Sequence, residues 1–188
     1  MIIGDKTRLR AVERSDIPLF VRWFNDPEVL RYLAMYVPMS RAAEERWFEA
    51  QLADESGHVF VIETLEDGVP IGNLDVHDID GRNGSAGCGI SICEKDYWDQ
   101  GYGSDALRAL LGFCFQELNL QRVYLQVFDF NERAIHCYEK VGFHYEGRLR
   151  EARFVEGRYV DELVMGYLRE EWQDDMEGRS LGRGAEVL

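Results

Sequence analysis

The chain has 188 residues, of which 46% are hydrophobic, and it carries a formal net charge of −14. This length fits one domain with a substantial core, and the charge disfavours nucleic-acid and anionic-membrane partners while favouring cationic molecules such as amines or basic peptides. The opening residues lack the apolar segment of a secretion signal, and no run of about 18 apolar residues would span a membrane.

The N-terminal part is predicted to contain one strand and three helices. The alternating segment TRLRAV predicts a strand from residue 7. Ser15 is the expected N-cap of a first helix, with Pro18 in its first turn. Asp26, which precedes a proline, is the expected cap of a second helix, and Ser40 that of a third.

Three strands and two helices are predicted in the middle of the chain. Alternation indicates strands at 58–64, 70–79 and 86–93. An amphipathic helix follows from about residue 103, and a strand is predicted at 122–128. Asn131 is the expected cap of the next helix, NERAIHCYEKVGF, and Gly142 its C-terminal glycine.

A closing hairpin that turns at Glu156-Gly157 completes the predicted elements. The order of elements has no regular strand–helix–strand alternation, so we expect a mixed α/β fold, with antiparallel pairing among the middle strands. Residues 1–172 are expected to form a single domain, and residues 173–188 a polar, flexible tail.

The four cysteines, at positions 88, 93, 114 and 137, lie in apolar segments. Their spacing fits neither a zinc site nor a CxxC pair. We therefore expect buried, reduced thiols, no bound metal and a cytoplasmic protein.

The stretch DYWDQGYGSDALRALLGF places Gly101 and Gly103 at the entrance to a predicted helix. It matches the dinucleotide pattern G-x-G-x-x-A, but seven residues separate Gly101 from the preceding strand, and the expected acidic residue about 20 positions later is missing. A tight turn explains one glycine more easily than two. A phosphate bound on the free amides of the helix would explain both.

The second informative stretch is NERAIHCYEKVGF, in which Asn131, Ala134 and Tyr138 lie near one helical face. In isolation, Asn131 is a helix cap and Tyr138 a core aromatic residue. Together, the two stretches resemble the GNAT superfamily of N-acetyltransferases, in particular its RimJ/RimL branch and the spermidine-acetylating relatives. The GYG loop with its helix, a strand, and then N-x-x-A-x-x-x-Y-x-x-x-G-F follow the order of that family, and the resemblance extends to about Trp172.

The resemblance implies the acyl-CoA N-acyltransferase fold, with a mostly antiparallel central sheet of about seven strands flanked by helices. It implies acetyl-CoA as the acetyl donor and a primary amine as the acceptor, attacked directly without an enzyme nucleophile. The acceptor would be a protein or peptide N-terminus, a polyamine or another small amine. Dimers are common in this branch, so a homodimer is one assembly to test.

The resemblance also assigns roles to individual residues. The pantetheine arm would pair with the backbone around Ile90 and Ile92 and hydrogen-bond to Asn131. Tyr138 would face the thioester sulfur, where a phenol can donate a proton or hydrogen bond to the departing thiolate. The CoA pyrophosphate would be held by the amides of Gln100, Gly101, Tyr102, Gly103 and Ser104.

The acceptor side is less well defined by the sequence. A lysine-type amine, with a pKa near 10.4, needs a stronger base than an α-amine with a pKa of about 7.7 to 8.0. No compelling base is evident, which favours an N-terminal amine. Asp75, His77 and Asp78 are candidates for a base or water relay, although an ordinary surface role is the simpler interpretation. Glu28 and Tyr32 would lie near the acceptor, or serve as a helix-start residue and a core aromatic.

Two positions depart from the family pattern. Trp98 stands where the superfamily often has Gln or Arg, and Gly87 where relatives often have Glu, which argues against a carboxylate-assisted mechanism at that position. Two other functions remain open at this point. One is a CoA-binding module without transferase activity, and the other is a nicotinamide-dependent oxidoreductase.

Overall fold

One mixed sheet of eight strands organises the fold. The computed structural model describes residues 2–175. All neighbouring strands are antiparallel except β5 and β6, which are parallel. Across the sheet the strands are β1 (Ile2–Ile3), β2 (Thr7–Ala11), β3 (His58–Thr64), β4 (Pro70–Asp80), β5 (Ser85–Ile92), β6 (Arg122–Phe128), β8 (Arg158–Leu168) and β7 (His144–Val155).

The sheet has one strand more than the seven or so expected. The additional strand is β1, whose two residues pair with Leu9 and Arg8 of β2. Alternation cannot be recognised over two residues, so this strand leaves no pattern in the sequence. The hairpin of β7 and β8 turns at Glu156 and Gly157, both of which have positive φ angles, as the sequence predicts.

The helices begin at the predicted caps in three of four cases. Asp26 accepts a hydrogen bond from the Glu28 amide at 2.9 Å, and Ser40 accepts one from the Ala43 amide at 3.1 Å. Asn131 accepts one from the Ala134 amide at 3.3 Å. The helices are α1 (Ile17–Trp23), α2 (Pro27–Leu30), α3 (Arg41–Ala53), α4 (Tyr102–Gln116) and α5 (Glu132–Val141), and residues 169–175 are also helical.

The prediction that Ser15 caps the first helix is wrong. Residues Arg14–Asp16 form a 3-10 turn in front of α1, and Asp16 occupies the N-cap position of α1. The Asp16 carboxylate accepts a hydrogen bond from the Glu13 amide at 2.8 Å and is held by the Arg10 guanidinium at 2.7 and 2.8 Å. The Asp16 side chain makes no capping hydrogen bond to α1, because its carboxylate faces back to the Glu13 amide and to Arg10.

The two faces of the sheet are covered by different helices. Leu74 and Val76 of β4 pack in one core cluster with Leu107 and Leu111 of α4. On the other face, Val61 packs with residues of α1 and α2. Truncation of a buried leucine such as Leu107 to alanine is expected to cost about 2–5 kcal/mol.

The parallel strands β5 and β6 separate after a short ladder. They pair only from Ser85–Arg122 to Gly87–Tyr124. Each strand continues along its other neighbour, β5 with β4 as far as Ile92 and β6 with β8 as far as Phe128. A cleft therefore opens within the sheet beyond Gly87.

Part of the predicted C-terminal tail can be located. Residues 173–175 continue the helical stretch that begins at 169, and the remainder of 173–188 lies outside the described residues. Among residues 2–175, no helix has the length and apolar character needed to cross a bilayer.

Candidate active site

A cavity of about 600 Å³ occupies the cleft between β5 and β6. Four predicted residues do not line it: Glu28, His77, Gln100 and Tyr102. The cleft therefore brings together most of the predicted site residues, although these are far apart in the sequence. The predicted residues that line it are Tyr32, Asp75, Ile90, Ile92, Gly101, Gly103, Ser104, Asn131 and Tyr138.

The entrance of α4 points backbone amides at this cavity. Gly101 is the N-cap, with a left-handed φ of 84°, and the first helical bond runs from the Asp105 amide to the Gly101 carbonyl at 3.0 Å. An α-helix leaves the N–H groups of its first turn without helical partners, here those of Tyr102, Gly103 and Ser104. With the positive end of the helix dipole, these amides can bind an anion such as a phosphate.

The two glycines of this loop are required for different reasons. Gly101 needs its positive φ, which L-residues adopt at a cost. Gly103 is helical, and a Cβ there would meet Ile92, Cys137 and Ile90 at ordinary distances of 3.6–4.0 Å. The folded protein would therefore accept alanine at 103. A ligand that approaches the backbone closely is the better explanation for this glycine.

The side chains around this loop are engaged in the protein itself. The Ser104 hydroxyl donates to the Gly101 carbonyl at 3.0 Å. The Gln100 carbonyl accepts a hydrogen bond from Lys6 Nζ at 2.9 Å, and the Tyr102 ring packs edge-on against Tyr97. The backbone amides at the start of α4 are therefore the groups that we assign to an anion, since the Ser104 hydroxyl is already engaged.

The free edge of β5 forms one wall of the cavity. Ile90 and Ile92 line it beyond the last residue that pairs with β6. The Ile92 carbonyl already accepts a hydrogen bond from Trp98 Nε1 at 2.7 Å. Trp98 thus secures the end of β5, and the remaining backbone groups of this edge are available to an extended ligand.

Asn131 and Tyr138 project from α5 into the same cavity. The Asn131 carbonyl oxygen caps the helix, which leaves its amide nitrogen as a donor. Tyr138 is 7% exposed, and its hydroxyl has no hydrogen-bond partner among residues 2–175. Burial, with a smaller contribution from nearby groups including Asp75, raises the pKa of Tyr138. The phenol therefore remains protonated and available as a donor.

Asp75 and His77 form a hydrogen-bonded pair at the edge of the cavity. Asp75 lines the cavity and is half-buried, whereas His77 is exposed and lies outside the lining. His77 Nδ1 lies 2.5 Å from Asp75 Oδ2. This hydrogen bond raises the pKa of His77.

The two predicted residues of the early helices differ in position. Glu28 is exposed and pairs with Lys95, which also binds Asp26 at 2.9 Å, so Glu28 lies away from the cavity wall. Tyr32 lines the cavity, where the Arg133 guanidinium lies 5.3 Å from its ring centre and 3.7 Å from that of Trp98.

Among the lining residues that were not anticipated from the sequence are two with charged side chains, Arg133 and Glu162. Glu162 is 5% exposed and accepts a hydrogen bond from Arg153 Nε at 3.0 Å. Along β8 it alternates in step with Val160 and Val164, so the sequence places an acidic side chain on the same face as these valines. A carboxylate among apolar positions of a strand is a signal of a functional site that the sequence contained. Arg133 follows the helix start and has no comparable signal.

The cysteines do not form disulfides. All four thiols are free, and Cys88, Cys93 and Cys114 are buried, which raises the pKa of each. Cys137 lines the cavity. Among residues 2–175, no cluster of His, Cys, Asp or Glu side chains could hold a metal ion.

Comparison with known proteins identifies the family. The model of the acetyltransferase (GNAT) domain matches residues 6–144. The prophage-derived uncharacterized N-acetyltransferase YokL of Bacillus subtilis is 32% identical over 171 residues, which cover 90% of this chain and 94% of that protein. The putative ribosomal N-acetyltransferase YdaF of Bacillus subtilis is 32% identical over 111 residues, 59% of this chain and 60% of that protein.

A solved structure extends this likeness to the whole fold. The crystal structure of spermidine N-acetyltransferase from Vibrio cholerae, in complex with CoA and spermine, matches with a TM-score of 0.83 at 29% identity and covers 89% of this chain and 98% of that chain. The resemblance and the fold class predicted from the sequence are confirmed. The chain belongs to the GNAT family and is an acetyl-CoA-dependent N-acetyltransferase, which transfers an acetyl group to an amine.

Proposed function

We propose that this enzyme acetylates polyamines, which enter the cavity as cations. The observation that carries this proposal is the set of three carboxylates, Asp75, Asp99 and Glu162, that border the cavity containing Tyr138 and outnumber its arginine and lysine side chains, Arg133 and Lys140. A net charge of −14 on the chain also favours cationic substrates. The spermidine acetyltransferases among its relatives support this class of acceptor.

The cofactor would lie along the cleft from α4 to Tyr138. In this proposal, the amides from Gly101 to Ser104 bind the CoA pyrophosphate, and the edge of β5 around Ile90 and Ile92 pairs with the pantetheine arm. The Asn131 amide nitrogen adds one hydrogen bond to that arm. The unpaired amides at the start of α4, the edge of β5 beyond its ladder with β6, and the Asn131 amide nitrogen that capping leaves free support the assignment.

Transfer then proceeds in one displacement. The neutral amine attacks the thioester carbonyl carbon and a carbon–nitrogen bond forms. The carbon–sulfur bond breaks, and the sulfur leaves with the bonding electrons. The nitrogen releases its extra proton to water, which leaves the neutral amide and the thiolate of CoA. Tyr138 donates its hydroxyl hydrogen bond to that sulfur as negative charge develops on it. Because burial raises the pKa of Tyr138, the phenol is protonated throughout the physiological pH range.

A second candidate acceptor is a peptide or protein N-terminus, the class favoured by the sequence. Exposed aromatic residues support it: Tyr36 is 91% exposed, and Phe154 and Tyr159 are 65% and 66% exposed. An ion pair connects the two regions that carry these rings. Arg31 at the end of α2, near Tyr36 in the chain, lies 3.8 Å from Glu156 in the hairpin of Phe154 and Tyr159. This surface could hold a peptide next to the cavity.

An acceptor panel separates the two classes. Release of free thiol from acetyl-CoA is measured with spermidine, spermine and putrescine, and with short peptides that have free or blocked N-termini. The proposal expects turnover of the polyamines with kcat/KM at least about tenfold above that for the peptides, a difference of about 1.4 kcal/mol in transition-state binding. Exclusive turnover of peptides with free N-termini would establish the second candidate instead.

We further propose that residues 1–172 act as one catalytic domain, that the enzyme works in the cytoplasm, and that it assembles as a homodimer. Four free thiols are compatible with a reducing compartment.

The evidence for a dimer is the outer edge of β7. This edge has no strand partner within the described sheet and exposes Tyr145 and Leu149, as an interface strand would. Light scattering coupled to gel filtration tests the dimer, and a monomeric mass would contradict it.

A further inference from the structure

Asp75 and His77 lie on the same face of β4 and extend over two glycines of β5. In the strand register, Asp75 is opposite Gly89 and His77 is opposite Gly87. A Cβ at position 87 would lie 2.3 Å from His77 Nε2, and a Cβ at position 89 would lie 2.7 Å from Asp75 Oδ1. These distances are shorter than any van der Waals contact, so the pair can occupy this place only because both positions are glycine.

The geometry of the pair leaves one carboxylate oxygen available. His77 Nδ1 binds Asp75 Oδ2 at 2.5 Å. Asp75 reaches the cavity that also contains Tyr138, while the imidazole remains outside the lining. The ring therefore fixes the rotation of the carboxylate and leaves Oδ1 as an acceptor.

The charges around the cavity single out Asp75 among its carboxylates. Glu162 is already paired with Arg153 at 3.0 Å. Asp99 belongs to the loop in front of Gly101, at the entrance of α4. Asp75 has no arginine or lysine partner within the described part of the chain, and its hydrogen-bond partner there is His77.

We propose that Asp75 contacts the ammonium group of the acceptor amine, and that His77 is a positioning residue that holds Asp75 in place above Gly87. This inference rests on the proposed acceptor site, but it does not require that the acceptor be a polyamine. Any primary amine that attacks the thioester must bring its nitrogen into the space that Asp75 and Tyr138 share. A fixed carboxylate there attracts the ammonium cation and orients its nitrogen, which then loses a proton to water and attacks as the neutral amine.

The direct test compares Asp75→Asn with the wild-type enzyme, using the best acceptor found for the wild type. Loss of a hydrogen bond to a charged group is expected to lower kcat/KM for the amine about ten- to a hundredfold. The KM for acetyl-CoA should remain within about twofold, because Asp75 is not among the groups assigned to the cofactor. An unchanged kcat/KM for the amine would overturn the inference, while the acceptor identity measured in the wild type would still stand.

The role of His77 is tested with two substitutions of different chemistry. His77→Leu removes the donor to Asp75, and we expect about a three- to tenfold loss of kcat/KM for the amine. His77→Asn places an amide nitrogen near the position of Nδ1, and it should recover most of that loss. A merely structural role would make both variants similar, and that result would contradict the positioning role.

Gly87→Ala provides a test that leaves both side chains unchanged. Its methyl group would push the exposed imidazole away from Asp75, so the variant should resemble His77→Leu in kcat/KM for the amine. Combined with His77→Leu, it should cause little further loss, since both changes remove the same contact. Thermal unfolding of each variant controls for damage to the sheet. If the loss of kcat/KM in the double variant equals the product of the two single losses, Gly87 and His77 act independently. That result would overturn this part of the inference.

Discussion

At the scale of single residues, the account depends most on Tyr138. Its ring packs edge-on against Phe143, and its hydroxyl faces the cavity without a protein partner among the described residues. Tyr138→Phe keeps the ring and removes the donor. We expect kcat to fall about 10²–10⁴-fold, the range for loss of a general acid. The dissociation constant for CoA, measured by calorimetry, should change by less than about twofold, and an unchanged kcat would refute the assignment.

The glycines at the start of α4 give a second prediction at this scale. Gly103→Ala should raise the free energy of unfolding by up to about 1 kcal/mol, because alanine favours the helix. It should weaken CoA binding at least about tenfold, because a methyl group would separate the pyrophosphate from the amides. Gly101→Ala should instead reduce the free energy of unfolding by about 1–2 kcal/mol, because of its left-handed φ. Gly112→Ala, in open space on the same helix, is the matched control. Unaltered CoA affinity in Gly103→Ala would contradict the phosphate site.

At the scale of elements, α3 contains a buried carboxylate. Glu44 lies in the first turn of α3, is 1% exposed, and its Oε1 has no hydrogen-bond partner among residues 2–175. Burial raises its pKa to about 7 from the ordinary value of 4.5. Between pH 4.5 and about 7, the Glu44 carboxyl group is therefore protonated in the folded state and ionised in the unfolded state. The Glu44 contribution to the free energy of unfolding decreases as pH rises from 4.5 to 7 and stays low above that.

Glu44→Gln removes this pH-dependent penalty. The variant should gain about 1–3 kcal/mol in unfolding free energy relative to the wild type at pH 8, and much less at pH 5. Urea unfolding at the two pH values measures this difference. Asp16, whose carboxylate is paired with Arg10, is unchanged in both proteins and cancels in the comparison. A difference of the same size at both pH values would show that Glu44 does not titrate in this range.

Helix boundaries were predictable where the capping group is local. Asp26, Ser40 and Asn131 each bind an amide two or three residues later, so the sequence contains the whole interaction. Ser15 failed as a cap because it lies inside the 3-10 turn Arg14–Asp16, whose last residue is held by Arg10 from the preceding strand. Long-range ion pairs of this kind are not visible in local sequence patterns.

At the scale of the whole molecule, the cofactor should join the two parts of the sheet. Only three residue pairs connect β5 with β6, so a ligand lying along both strands would reinforce the shortest ladder in the interior of the sheet. CoA at about 100 times its dissociation constant is expected to stabilise the protein by about 2.7 kcal/mol. That corresponds to a rise in Tm of roughly 5–10 °C at this size. NADH at the same concentration is the control, and an equal shift with NADH would favour a dinucleotide site.

The family and the fold class could be predicted from the sequence because the glycine loop and the Asn131–Tyr138 helix appear in it as two short motifs. The acceptor side could not be predicted in the same way. Glu162 and Asp75 line one cavity only because their strands, β8 and β4, are the outer neighbours of β6 and β5. The role of Gly87 likewise becomes evident only from His77 on the neighbouring strand. Those juxtapositions depend on register, which local patterns do not determine.

The most direct test of the central claim is a crystal structure of the enzyme with bound CoA. The account predicts the pyrophosphate on the amides of Tyr102, Gly103 and Ser104, the pantetheine arm along β5, and the thiol sulfur within hydrogen-bond reach of the Tyr138 hydroxyl. CoA bound elsewhere, with the cleft between β5 and β6 empty or the sulfur directed away from Tyr138, would contradict it.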